Sequence, residues 1–175
     1  DRSAGAAKAL RGGRSPAAAE REYDALSSSG CQFVSIFDDA YPALLRECSD
    51  APILLYVRSS TPVEELFNKR PAISIVGTRD ISSYGRDWCT RIVKAISEAP
   101  IKPLIISGMA FGVDIAAHMA ALAYGLPTIG VSPVGIERVY PARHSIAAER
   151  IVEAPGGALI TDYPPGTDPL PVNFL

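Results

Sequence analysis

With 175 residues, the chain is long enough for one sizeable hydrophobic core, and 47% hydrophobic and 21% charged residues are ordinary for a globular protein. Seventeen lysines and arginines against 19 aspartates and glutamates give a net charge of −2, which excludes binding to nucleic acid through overall charge alone. No apolar run is long enough to span a membrane and no secretory leader opens the sequence, so we expect no membrane contact.

The three cysteines, Cys31, Cys48 and Cys89, are far apart and form no Cys-x-x-Cys pair, and only two histidines could join them. A zinc site is therefore not expected, and we expect no cofactor. An odd number of scattered thiols is typical of a reducing compartment, which predicts a cytoplasmic protein. Both ends of the sequence suggest a piece of a longer protein.

The first 70 residues divide into two parts. Residues 1–19 have almost no large apolar side chains and are predicted to be a weakly ordered arm. Residues 20–70 are predicted to form a small α/β lead-in that begins with a short helix ending at Gly30. The other elements predicted there are strands at 31–37 and 51–58, a short helix at 41–48, and a helical turn or two after Thr61.

From Pro71 onward the pattern is regular, and residues 71–175 are predicted to form one domain, incomplete at its C-terminus. Alternation of this kind predicts right-handed βαβ crossovers and a mostly parallel sheet covered on both faces. The predicted strands are 72–77, 103–108, 127–132 and 157–163, and the predicted helices are 83–98, 112–125 and 144–154.

Two of these helices carry further detail. The helix at 83–98 is amphipathic, with Trp88, Ile92 and Ile96 one turn apart and Cys89 and Val93 beside them. The helix at 112–125 is rich in alanine and apolar on most sides, so it is expected to be buried. Gly125 is predicted to end it in a left-handed conformation.

Ligands of open α/β sheets collect at the carboxyl ends of the strands, and three of these ends invite attention. The first is Gly77-Thr78-Arg79, where the guanidinium could bind a phosphate through two hydrogen bonds. A tight turn with a solvated arginine explains the same residues.

The second strand end is the turn from Ser107 to Asp114, in which Gly108 and Gly112 precede a helix. Backbone N–H groups and a helix N-terminus could bind an anion there, although glycines needed for a tight turn explain the pattern equally well. The spacing matches neither the dinucleotide fingerprint nor the P-loop. Asp114 and His118 share a helix face, but a core histidine is favoured over a catalytic one.

The third strand end runs from Ser132 to His144. Arg138, Arg143 and His144 flank Tyr140-Pro141 there, and interleaved cations and aromatic rings can hold a single strand by charge and by base stacking. A proline-pinned loop with solvated charges is the alternative interpretation.

Taken together, the strand ends resemble the DNA-processing protein A family, also called Smf. The resemblance covers about residues 23–174. The motifs that carry it, in order, are "YPALL", "DAPILLY", "IVGTR" with "SSYGR", "IISGMAFGVDIAAH", "VYPARH" and "GALITDYPPGTDPLPVNF".

This resemblance implies a Rossmann-like, three-layer α/β domain that binds single-stranded DNA without catalysis. It implies protection of incoming strands in natural transformation and loading of the RecA recombinase onto them. In the family, the Gly-Ser/Thr-Arg turn contacts DNA phosphates, and Gly77, Thr78 and Arg79 match it. The glycine-rich turn matches as part of the same phosphate pocket, through Ser107, Gly108, Ala110 and Gly112.

Two departures from the family pattern matter. A basic residue usually follows Tyr-Pro, but this chain has Ala142 after Tyr140-Pro141. Either Arg143 and His144 take over this contact or DNA binding is weaker here; Arg143 is the expected phosphate contact, and Tyr140 and His144 are expected to add stacking or charge. The family sequence also continues past Asn-Phe with an Arg-Asn-Arg run and the part implied to carry the homodimer face and the RecA contacts.

Two other function classes remain open. A nucleotide-hydrolysing enzyme of the phosphoribohydrolase type would need a Pro-Gly-Gly-x-Gly-Thr loop with a glutamate, and this chain has only Pro155-Gly156-Gly157 leading into a predicted strand. A protein-interaction module whose anion pocket has lost its role is compatible with the net charge of −2.

Overall fold

The computed structural model describes Arg21 and residues 24–174, so the arm predicted at 1–19 lies outside the described residues. The chain divides into a short N-terminal unit that ends at Cys31 and a second unit that begins at Gln32. In the first unit, residues 24–28 are helical and Gly30 has a φ of 82°. The predicted helix that ends at this glycine is therefore confirmed over its described part.

A six-stranded sheet in the order β1-β2-β6-β5-β4-β3 is the centre of the fold. The four strands β3 to β6 are parallel neighbours, and β2 pairs antiparallel with β6. The predicted mostly parallel sheet is thus confirmed, and both strands of the lead-in extend it. The strands are β1 Cys31–Ser35, β2 Leu54–Arg58, β3 Ala72–Ser74, β4 Leu104–Gly108, β5 Thr128–Val131 and β6 Ala158–Thr161.

Three long helices connect the parallel strands. Because β3 to β6 follow one another across the sheet, right-handed crossovers place all three connecting helices on one face. Val93, Ile105 and Ala121 meet in the core on this face. The helices are α1 Ala43–Arg46, α2 Val63–Leu66, α3 Ser83–Ser97, α4 Val113–Ala123 and α5 Ser145–Glu153, with 3₁₀ turns at Ala142–His144 and Pro171–Phe174.

The helix α3 forms where it was predicted and packs against the core along one side. Its N-terminus is capped by the Ser82 hydroxyl, which accepts a hydrogen bond from the Gly85 amide at 3.1 Å. The buried positions are Cys89 and Val93, whereas Trp88 and Ile92 are 45% and 51% exposed. The predicted amphipathic helix is therefore confirmed, with Cys89 and Val93 at the centre of its buried face and Ile96 packed in part against the same core.

The helix α4 is buried, as predicted, through alanines at 116, 117, 120 and 121. Gly125 has a φ of 65°, its N–H donates to the Leu122 carbonyl, and the Leu126 N–H donates to the Ala121 carbonyl at 2.9 Å. This pair of bonds is a Schellman cap, so the predicted role of Gly125 is confirmed.

The opposite face of the sheet is covered only in part by the described residues. Val63 and Leu66 of the lead-in pack there with Leu104, Ile129 and Ile160. Next to them lies a largely apolar groove of about 680 Å³, where Val131 is 42% exposed. Among the described residues, this groove is the part of that face that the lead-in leaves open.

A buried histidine joins α4 to two strands. The His118 side chain is 0% exposed; its Nε2 lies 2.8 Å from the Gly108 carbonyl oxygen and its Nδ1 lies 2.7 Å from the Thr128 hydroxyl. Since a carbonyl oxygen only accepts, Nε2 carries the proton. Burial lowers the pKa of His118 below its usual 6.5, although the hydrogen bond to Gly108 and the nearby Asp114 carboxylate oppose this.

Acid should therefore weaken the fold through His118. The unfolded chain takes up this proton first, so the stabilising contribution is complete above pH 6.5 and is lost as pH falls toward the lowered pKa. We expect urea unfolding, followed by Trp88 fluorescence, to show less of this loss in His118→Gln than in the parent. His144→Gln is the matched control, and equal losses in parent and His118→Gln would contradict the assignment.

Candidate nucleic-acid interface

The carboxyl ends of the parallel strands surround one open cavity of about 470 Å³. Loops that follow β3, β4, β5 and β6 all contribute to its lining, as expected for a ligand site in an open α/β sheet. The lining residues used below are Arg79, Gly108, Ala110, Phe111, Asp114, Ser132, Tyr140, Asp162, Tyr163 and Phe174.

Arg79 lies exposed at this cavity and its guanidinium carbon is 5.6 Å from the centre of the Phe174 ring. The Phe174 ring also lies against that of Tyr140, with the ring centres 5.5 Å apart and the ring planes at 62°. Within the described residues, neither a carboxylate nor a carbonyl oxygen accepts a hydrogen bond from this guanidinium. Arg79 is therefore positioned by an aromatic ring and remains able to bind an anion through its N–H groups.

The backbone around Arg79 also offers free donors. In the part of the chain that the structure describes, the backbone N–H groups of Gly77, Thr78 and Arg79 donate to no acceptor, and all three residues are exposed. The Thr78 hydroxyl accepts instead from the Asp80 N–H at 3.1 Å, which shapes the turn. Successive unpaired N–H groups beside an arginine can bind one phosphate.

Two glycines allow this turn to dock on the start of α4. The Val113 N–H donates to the Thr78 carbonyl at 3.1 Å. Gly112 has a φ of 82°, and a Cβ atom there would overlap the Thr78 carbonyl oxygen. A Cβ atom on Gly77 would lie 2.6 Å from a Val113 methyl group. The glycines predicted at the first two strand ends thus serve close packing between those ends.

The other residues predicted as phosphate contacts in the second turn, Ser107, Gly108 and Ala110, take part in contacts inside the protein. The Ser107 side chain is buried and its hydroxyl donates to the Ile75 carbonyl at 2.6 Å. The Ala110 N–H donates to the Asp114 carboxylate at 3.3 Å, and that carboxylate lies 2.5 Å from where a Cβ of Gly108 would be. These groups hold the turn in place, so we assign them to positioning.

Of the three residues predicted at the third strand end, Tyr140, Arg143 and His144, only Tyr140 lines the cavity. Tyr140, which is joined to Pro141 by a cis peptide bond, is 41% exposed in the cavity. His144 is 8% exposed; its Nδ1 donates to the Met109 carbonyl at 2.8 Å and its ring lies 4.8 Å from that of Phe111. Arg143 is exposed but does not line the cavity. Tyr140 therefore lines the cavity together with Arg79, and Arg143 does not. The buried His144 ring packs against Phe111, which is itself a lining residue.

Several lining residues had not been selected from the sequence, among them Phe111, Ser132, Asp162, Tyr163 and Phe174. Phe111 lies inside the glycine-rich turn, so an aromatic residue between two glycines could have indicated it. Ser132 and Asp162 follow the ends of β5 and β6, a position that the strand predictions nearly identified. Phe174 is 95 positions from Arg79 and no local pattern indicates it.

The cavity itself is not cationic. Asp114 and Asp162 line it together with Arg79. Burial, and then the negative charge of Asp162, raise the pKa of Tyr163 above its usual 10. Positive charge is therefore confined to the Arg79 turn, and the interior favours groups that donate hydrogen bonds.

Comparison with known sequences identifies the protein family of this chain. The model of the family described as DNA recombination-mediator protein A matches residues 32–175. This chain belongs to that family. The resemblance to the DNA-processing protein A family and the Rossmann-like α/β fold that it implied are thereby confirmed.

Two relatives show how much of a family member the chain represents. It is 34% identical to DNA processing protein DprA of Streptococcus pneumoniae over 142 residues, which are 80% of this chain and 46% of the relative. It is 33% identical to protein Smf of Synechocystis over 82% of this chain and 35% of the relative. The chain thus spans about half or less of these relatives.

Solved structures of family members agree with this fold. The structure of DNA processing protein A from Streptococcus pneumoniae superposes with a TM-score of 0.74 and 33% identity, over 93% of this chain and 57% of that one. A structure giving insight into the single-stranded DNA binding mode of the Helicobacter pylori protein superposes with a TM-score of 0.67 over 82% and 61%. At 24% identity, this second likeness supports the fold alone.

Because the Arg79 turn packs closely against Gly112, we expect a methyl group at Gly112 to lower the free energy of unfolding strongly. Gly166 is a matched control, since its φ is 81° but nothing lies within 4 Å of its Cβ position. We expect Gly166→Ala to lower the free energy of unfolding by about 1 kcal/mol through backbone strain. Gly112→Ala should cost about 1–3 kcal/mol more, because the Cβ atom would overlap the Thr78 carbonyl oxygen and because a φ of 82° with a ψ of −123° is strained for alanine. Urea unfolding measures both, and equal costs would refute this packing.

Proposed function

We propose that this chain binds single-stranded DNA at the carboxyl edge of its sheet, with Arg79 and the neighbouring backbone N–H groups on a phosphate. One observation carries the proposal: an exposed guanidinium without a carboxylate partner among the described residues lies over Phe174 beside an open cavity. Membership of a DNA recombination-mediator family supports it.

A single strand fits this site better than a duplex. The exposed rings of Phe111, Tyr140 and Phe174 offer faces on which unpaired bases can stack, whereas the bases of a duplex already stack on one another. The net charge of −2 gives no general attraction to a polyanion. Binding therefore depends on the local Arg79 turn, with Arg143 as an additional contact outside the cavity.

Replacing Arg79 should weaken binding in a way that salt reveals. Arg79→Ala removes one charged phosphate contact, so affinity for a fluorescent oligo-dT strand should fall about tenfold at low salt. The slope of log affinity against log salt should become smaller by about 0.7. Fluorescence anisotropy measures both quantities.

Arg150→Ala is the matched control, because Arg150 is an exposed arginine on α5 that does not line the cavity. Arg143→Ala should cost less than Arg79→Ala. An unchanged affinity and salt slope in Arg79→Ala would refute the proposed function.

For the whole protein we propose the role that the family resemblance implies. It acts in the cytoplasm without catalytic turnover, protects incoming strands in transformation, and loads RecA as a homodimer. This chain spans less than half of the curated relatives described above, so the test requires a full-length protein. Sedimentation should show a dimer, and immobilised RecA should retain the protein; a monomer that RecA does not retain would refute this extension.

One geometric observation disfavours the phosphoribohydrolase alternative. Pro155-Gly156-Gly157 comes immediately before β6, at the edge of the sheet opposite to the cavity. The Ser59 hydroxyl donates to the Gly157 carbonyl at 2.5 Å, and the Gly156 N–H donates to the Thr61 hydroxyl at 2.9 Å. The backbone of these glycines is hydrogen-bonded to the lead-in, so we do not propose that they bind a nucleotide.

A further inference from the structure

Ser132 presents an unused hydroxyl inside the cavity. The residue is 5% exposed, and its Oγ makes no hydrogen bond with any of the described residues. A buried hydroxyl without a hydrogen-bond partner destabilises the folded protein, because it has lost its hydrogen bonds to water without replacing them. Because Ser132 also lines the cavity, a bound ligand is in a position to supply the missing hydrogen bond.

A carboxylate lies at the end of the adjacent strand. Val131 of β5 pairs with Ile160 of β6, and the Ser132 N–H donates to the Ile160 carbonyl at 2.8 Å. Ser132 and Asp162 therefore follow neighbouring strand ends, and both line the cavity. Among the described residues no cation pairs with Asp162, so its oxygens are available as acceptors.

The charges inside the cavity decide which part of a strand can enter. Asp162 and Asp114 would repel a phosphate there, whereas Arg79 and its backbone N–H groups attract one at the adjacent turn. Aromatic walls from Phe111 and Phe174 favour a flat ring. A volume of about 470 Å³ is within the range of pockets that take small ligands.

We propose that this cavity takes one nucleobase of the bound strand, and that Ser132 and Asp162 select a base carrying an exocyclic amine. This inference rests on the proposed binding of single-stranded DNA. An ionised carboxylate only accepts hydrogen bonds, so Asp162 pairs with an amine such as N4 of cytosine and repels a carbonyl oxygen at the same position. The Ser132 hydroxyl donates to a ring nitrogen or carbonyl oxygen beside that amine.

Oligo-dC and oligo-dU of equal length test this selection, because cytosine has an amine where uracil has a carbonyl oxygen. We expect the parent protein to bind oligo-dC about fivefold more tightly, or better, at pH 7.5 in fluorescence anisotropy. Asp162→Asn introduces an amide that both donates and accepts, and should bring the ratio of the two affinities close to one. Ser132→Ala should reduce the same ratio.

Controls separate selection from general charge and from folding. Asp87→Asn makes the same charge change on the exposed surface of α3 and should leave the ratio unchanged. Ser132→Ala removes an unpaired buried hydroxyl, so its thermal midpoint should not fall, and a stable variant with an unchanged ratio would overturn the role of Ser132.

Equal affinity of the parent for oligo-dC and oligo-dU would overturn the inference while leaving single-strand binding intact. Binding of neither strand would overturn both the inference and the proposed function. A preference for oligo-dC that survives Asp162→Asn would overturn the assignment of the base to this cavity.

Discussion

The candidate site depends on close contact between two strand ends, made where the Val113 N–H donates to the Thr78 carbonyl. This bond forms because Gly112 has a positive φ and no Cβ atom to meet that carbonyl. Contact at this point fixes the direction in which the chain leaves β3, and with it the place of Arg79. The helix α4, which starts at Val113, is itself buried and capped, so the turn rests on one of the most firmly held elements of the domain.

Positive and negative side chains occupy different parts of the candidate site. The Arg79 turn combines a guanidinium with unpaired backbone donors, whereas Asp114 and Asp162 make the cavity a place for acceptors. Such a division suits a nucleotide better than a free phosphate, because a nucleotide has an anionic end and a flat end with hydrogen-bond donors. Phe174 connects the two regions, since its ring contacts both Arg79 and Tyr140.

Much of the architecture was predictable because each element has a local cause. Apolar runs bounded by proline and glycine predicted β4, β5 and β6, and Gly125 predicted the end of α4. The buried stripe of α3 was not, since Trp88 and Ile92 are as apolar as Cys89 and Val93, and only the position of α4 decides which pair faces inward. Similarly, the sequence could not predict that the Ser107 hydroxyl would donate a hydrogen bond to the Ile75 carbonyl inside the protein, or that Arg79 would remain exposed.

By itself, the sequence determined the α/β class, the order of its parallel strands along the chain and the turn that carries Arg79, because these depend on residue types within a few positions of one another. Only the tertiary structure decided which side chains share the cavity. Phe174, Ser132 and Asp162 line the same cavity as Arg79, although they come from distant parts of the chain. Their meeting follows from strand order and register, which are set by the packing of whole elements rather than by any local pattern.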